Sequence, residues 1–215
     1  MSRRNGFAKA CAWPKTWCKE PGSWYDKLMN DVGISQNGYY RVGHAALILV
    51  DKETGICSYY DFGRYGTPDG YGRVRNPLDD HHLKIQTKAL IEDNHILNLK
   101  EILEEMYDSN SNCCDGPLYG TYASIRLQKV ESKINQLIEA EYVEYGPFIR
   151  KGTNCARFVN KVIRAGRPGF DLHTLLKFPL TISPTPMWNL RALQNDIIQV
   201  GETESAQETT PIAIS

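Results

Sequence analysis

Gly152-Thr153-Asn154-Cys155-Ala156-Arg157-Phe158-Val159-Asn160 is the stretch on which the fold turns. Its pattern predicts a helix opening at Cys155, with Thr153 or Asn154 as the N-cap. Phe158, Val159, Val162 and Ile163 then recur at three-and-four spacing along one face, the face of the sulfur. A helix start leaves backbone N–H groups free and carries the positive end of the helix dipole, so it stabilises an anion. A cysteine there is placed to become a thiolate. The same residue also suits a plain core role as a small buried hydrophobe, and a suitably placed histidine decides between the two.

Tyr40-Arg41-Val42-Gly43-His44-Ala45-Ala46-Leu47-Ile48-Leu49-Val50-Asp51 supplies one. The run predicts a strand opened by Gly43-His44, and the turn Asp51-Lys52-Glu53-Thr54-Gly55 leads into a second strand, Ile56-Cys57-Ser58-Tyr59-Tyr60-Asp61-Phe62. Centring the hairpin near Glu53-Thr54 sets Asp61 opposite Ala46, which shares a face with His44. Asp61 then reaches the imidazole diagonally. Nucleophilic cysteine chemistry needs a thiol, a base and a polar group orienting the base; Cys155, His44 and Asp61 fill those roles.

With these parts in view, the chain resembles the circularly permuted papain-like NlpC-type superfamily, which includes lecithin:retinol acyltransferase-like proteins and bacterial YiiX-like hydrolases. The resemblance lies in the order Gly43-His44 first and Asn154-Cys155 about a hundred residues later, and it spans residues 40–165. Asp61 stands where the acyltransferase branch usually has a second histidine, which leans the likeness towards the bacterial hydrolases. The resemblance implies an α+β fold, an antiparallel sheet packed against helices with the catalytic cysteine at a helix N-terminus. It also implies a cysteine hydrolase of peptidase or amidase type that cleaves an amide, peptide or ester bond through a thioester, without metal or organic cofactor. A thiol acyltransferase acting on lipids, or a catalytically silent peptide-binding module, are the alternatives.

Composition sets the outer limits. The chain has 215 residues, of which 41% are hydrophobic, enough for one well-buried core. We expect a single domain over 1–200 with an aromatic-rich N-terminal wrap and a disordered tail over 201–215. Twenty-five basic and twenty-five acidic residues balance, which argues against nucleic-acid binding. No apolar stretch is long enough to span a bilayer, and no signal-type segment follows the N-terminus, so a cytoplasmic protein is expected, with export by a signal-independent route left open. The expected partner is a peptide-like or acyl small-molecule substrate. Cys11, Cys18, Cys57, Cys113, Cys114 and Cys155 are expected as reduced thiols.

Around this frame stand further candidates. Trp13, Trp17, Trp24 and Tyr25 suit either a wrap over the sheet or a ligand groove. Tyr40 is a candidate second oxyanion donor beside the Cys155 N–H. The segment 62–75 reads as a glycine-rich loop leaving the Asp61 strand, from which Arg64, Arg73 or Arg75 could hold a substrate carboxylate or phosphate; plain turn chemistry is the other reading. Asp79-Asp80-His81-His82 predicts a solvated turn rather than a metal site. Helices are expected over 97–106 and 122–141, and a last strand near 197–200.

Overall fold

The computed structural model describes residues 4–20, 26–31, 33, 35–110 and 114–201. In chain order the elements are β1 (Gly6–Trp13), β2 (Cys18–Lys19), α1 (Asp26–Asp31), β3 (Ser35–Gln36), β4 (Tyr39–Tyr40), β5 (His44–Asp51) and β6 (Cys57–Gly63). Then follow β7 (Tyr71–Arg75), a 3₁₀ turn (His81–Leu83), β8 (Ile91–Glu92), β9 (His95–Ile96), α2 (Leu99–Asn110), β10 (Leu118–Ile125) and α3 (Leu127–Glu139). The chain ends with β11 (Val143–Glu144), α4 (Cys155–Ala165), α5 (Phe170–Lys177), α6 (Pro186–Arg191) and β12 (Ile198–Val200).

A seven-stranded antiparallel sheet, ordered β11-β7-β6-β5-β1-β10-β12, carries the molecule. Helices cover both faces, which is why β5 reads as an unbroken apolar run rather than an alternating one. On one face Ala45, Leu47, Leu49 and Phe62 pack against Phe158, Val159, Val162 and Ile163 of α4. On the other, Ala46, Ile48, Val50 and Tyr59 pack with Leu99, Ile102, Leu103 and Met106 of α2. Each large side chain so buried contributes about 1.5–3 kcal/mol. The α+β, sheet-on-helix expectation is met.

Several local expectations are corrected. Residues 7–13 are no wrap: β1 lies between β5 and β10, and all eight of its residues are buried. Trp13 is therefore core rather than groove lining, while Trp24 and Tyr25 fall outside the described residues. The strand β10 occupies 118–125, so the following helix starts at Leu127 instead of residue 122. The supposed loop 62–75 contains β7, which pairs with β6. The tail beyond residue 201 and Cys113 also lie outside the described residues.

Candidate active site

Asn154 caps α4, its side-chain oxygen accepting from the Arg157 N–H at 2.8 Å, and Cys155 is the first helical residue. The approach to this turn is pinned. The Thr153 N–H donates to the Glu144 carbonyl and the Gly146 N–H to the Thr153 carbonyl, each at 2.9 Å. Gly152 has no space for a side chain, because a Cβ would strike the Glu144 carbonyl oxygen. Two residues after Cys155, Arg157 Nη1 donates to the carbonyls of Gly146 and Ile149, both at 2.8 Å, tying the helix to the 146–149 loop.

His44 enters from the sheet. Gly43 before it adopts φ +75°, and a Cβ there would lie 2.7 Å from the Trp13 carbonyl oxygen, so only glycine serves. By alternation His44 belongs to the α2 face, whereas α4 packs on the other. The two residues nevertheless meet, because His44 is the first residue of β5 and its ring stands at the end of the sheet. Nε2 faces Asp61 Oδ2 at 3.0 Å, which leaves Nδ1 for Cys155, a residue near enough to bear on the imidazole's titration. Burial pulls the imidazole pKa down, but the hydrogen bond to Asp61, the nearness of Cys155 and the negative charges of both outweigh it and raise it to about 10.

Asp61 is fully buried and lies opposite Ala46, the register the hairpin turn implies. Besides His44 it accepts from Tyr59 and Tyr65 hydroxyls at 2.9 Å each, and from Arg75 Nε and Nη2 at 3.1 and 2.6 Å. Burial favours the neutral acid, but hydrogen bonds from His44 and Arg75, with their positive charges, hold the carboxyl well below the usual carboxylate range. Burial and then the Asp61 charge push both phenols up, so Tyr59 and Tyr65 stay donors. The Arg75 guanidinium lies 3.9 Å from the Tyr65 ring centroid.

Cys155 opens onto a cleft of about 180 Å³ whose walls include Tyr40, Val42, Tyr145, Phe148 and Pro184. Lys19 is the one charged residue lining it among those described. Cys18 lines it too; burial, then the charge of Cys155, pushes the Cys18 thiol up to about 12.

The structure brings Cys155, His44 and Asp61 together and gives the other candidates different roles. Arg75 is corrected from substrate ligand to buried partner of Asp61. Arg73 is engaged by the Tyr65 carbonyl at 2.8 Å and by Asp80 at 3.6 Å, which removes it from the cleft. Arg64 donates to the Glu20 and Lys19 carbonyls and lies over the Tyr145 ring, behind the cleft wall rather than in it. Tyr40 does line the cleft, but its hydroxyl donates to Asp26 at 2.6 Å, so that proton is not aimed at an oxyanion. Trp24 lies outside the described residues.

Tyr59, Tyr65, Arg157 and Cys18 escaped the sequence reading. Tyr59 had a usable signal, standing two residues before Asp61 and hence on its face. Among the described residues no cluster of three or more His, Cys, Asp and Glu could hold a metal ion.

Residues 10–168 match the model of the family described as type VI secretion system effector TseH-like. Among solved structures, the fold is similar to that of the type VI secretion system effector TseH, with a TM-score of 0.57 at 17% identity, over 88% of this chain and 87% of that one. No curated protein matches.

Proposed function

We propose that this chain, which belongs to the type VI secretion system effector TseH-like family, is a cysteine-dependent hydrolase that cleaves an amide or peptide bond through a thioester. The observation that carries this is His44 standing between Asp61 at 3.0 Å and Cys155, which pairs a nucleophile at a helix start with a base whose far nitrogen is fixed. Cys155 Sγ attacks the carbonyl carbon, and the charge that develops on oxygen is met by the backbone N–H groups of the first turn of α4. The His44 imidazolium gives its proton to the leaving amine, whose bond to carbon breaks, leaving the acyl group on sulfur. The neutral imidazole next takes a proton from water; the hydroxide displaces Sγ, and the acid leaves. Asp61 stays ionised throughout and holds the ring in position.

The walls formed by Tyr40, Val42, Tyr145 and Phe148 favour an apolar group beside the scissile bond. Membership of an effector family supports export through a secretion apparatus, so a chain made in the cytoplasm would act elsewhere, on a wall peptide or similar amide.

A fluorescent iodoacetamide tests the reading in a Cys18→Ser background, where the cleft holds one thiol. Cys155 should label rapidly at neutral pH, and His44→Ala should slow it by about a hundredfold or more. Undiminished labelling of a folded His44→Ala protein would sink the proposal.

A further inference from the structure

Sharing Pro184 with the Cys155 cleft is a second pocket, of about 240 Å³, lined by Arg157, Lys161, Arg164, Lys177, Ile182 and Pro184 among others. Four of these are cations and none is a carboxylate. Among the described residues, no acid comes within ion-pair distance of any of the four. Arg164 Nε is buried with no hydrogen-bond partner among the described residues. The excess is regional: residues 150–191 hold eight Arg and Lys against one acid, Asp171, in a chain whose formal charge is zero. Its effect is felt locally. Burial first, then the charges of Arg157, Lys133 and Arg164, lower Lys161 to about 8, and burial followed by Arg164, Lys177 and Arg167 lowers His173.

Beside this pocket the chain exposes apolar side chains that belong to neither buried core. Phe178, Leu180 and Ile182 are 64%, 88% and 91% exposed, within five consecutive positions, and Ile182 itself lines the basic pocket. Isolated exposed apolar residues are ordinary, but three on one loop at the rim of an uncompensated cationic pocket form an amphiphilic surface. No helix among the described residues is long and apolar enough to cross a membrane.

We propose that the basic pocket and the 178–182 loop together dock on the surface of an anionic phospholipid bilayer, phosphate headgroups entering among Lys161, Arg164 and Lys177 while Phe178, Leu180 and Ile182 enter the acyl boundary. Charge complementarity selects this partner: headgroup anions supply the counter-charge that the described residues omit, and acyl chains cover the apolar tips. Pro184 lines both this pocket and the Cys155 cleft, so docking holds the cleft beside the bilayer. The inference stands apart from the hydrolase reading.

Vesicle flotation tests it. The full chain should float with phosphatidylglycerol–phosphatidylcholine vesicles but not with phosphatidylcholine alone, and added sodium chloride should weaken the association. Arg164→Gln and Lys177→Gln should each weaken it about fivefold, and Leu180→Ser/Ile182→Ser by about tenfold or more, through lost apolar burial, with Cys155 labelling retained. Cys155→Ser should float like the parent, which separates docking from catalysis. Three results would overturn the proposal: a folded parent that stays with the soluble fraction at low salt, a Leu180→Ser/Ile182→Ser protein that floats undiminished, or inorganic phosphate releasing the protein far better than sodium chloride of equal ionic strength. The last would mark a small-anion pocket instead.

Discussion

Asp61 and Lys9 are both fully buried charged residues on interior strands of one sheet, and the protein treats them oppositely. Asp61 on β6 accepts hydrogen bonds from His44, Tyr59, Tyr65 and Arg75. Among the described residues nothing hydrogen-bonds to the ammonium of Lys9 on β1, and burial, opposed by the nearby Cys11 and Cys57, lowers it to about 8. Desolvation acts on both; what differs is whether the surroundings replace the lost water. The partners around Asp61 also fix an imidazole beside a thiol, so full satisfaction there coincides with the proposed chemistry. Around Lys9 the sheet tolerates a cost that the neighbouring cysteines offset only in part.

Breaking the satisfied site has the largest expected effect. Asp61→Ala leaves Arg75 buried without its counter-charge and should cost about 3–5 kcal/mol of stability, read from urea unfolding. A loss below about 1 kcal/mol would mean that the network is as idle as the lysine. Relieving the unsatisfied site should do the reverse. Lys9→Met replaces the ammonium with an apolar group of similar length, and a shift from 10.5 to about 8 corresponds to roughly 3 kcal/mol gained at neutral pH.

The pH dependence of these differences sharpens the contrast. Lys9 is depressed in the folded state, so the unfolded chain binds more protons between about 8 and 10.5. The gain from Lys9→Met is then constant below about pH 8 and shrinks towards zero as pH nears 10.5. His44 is raised from 6.5 to about 10, so its contribution is whole below pH 6.5 and lost as pH rises through 10. The loss from His44→Ala should shrink across that window towards the pH-independent cost of the missing ring. Each difference changes by about 1.4 kcal/mol per pH unit inside its window. Unfolding midpoints measured across pH would show the two curves converging from opposite sides; parallel flat curves would deny both shifts.

Lys9 also explains much of what was hard to read. Ala8, Ala10 and Ala12 face one core and Phe7, Cys11 and Trp13 the other, but a lysine amid small residues disguises a two-sided buried strand. The β7 segment Tyr71-Gly72-Arg73-Val74-Arg75 was masked likewise, since glycine and arginine suggest a loop until Asp61 supplies the buried partner that Arg75 needs. By contrast, the Ala46–Asp61 register was legible, because a short turn between two apolar runs leaves little freedom. Cys155 at its helix start was legible through Asn154 and the spacing of Phe158, Val159, Val162 and Ile163. Arg157 was not, because its bonds go to backbone carbonyls, which carry no residue signature.

The smallest effect probes how far the satisfaction of Asp61 is shared out. Tyr65→Phe removes one of the hydroxyls at 2.9 Å yet keeps the ring beneath the Arg75 guanidinium. With Tyr59, Arg75 and His44 still bonded, the carboxylate keeps its charge, and the cost should be about 1 kcal/mol, that of a single hydrogen bond. Iodoacetamide labelling of Cys155 should change little, because His44 Nε2 retains its own bond to Oδ2. A labelling rate that falls with Tyr65→Phe as steeply as with Asp61→Asn would mean that the four donors act as one cooperative unit, and that the imidazole is positioned by the whole cluster rather than by Asp61 alone.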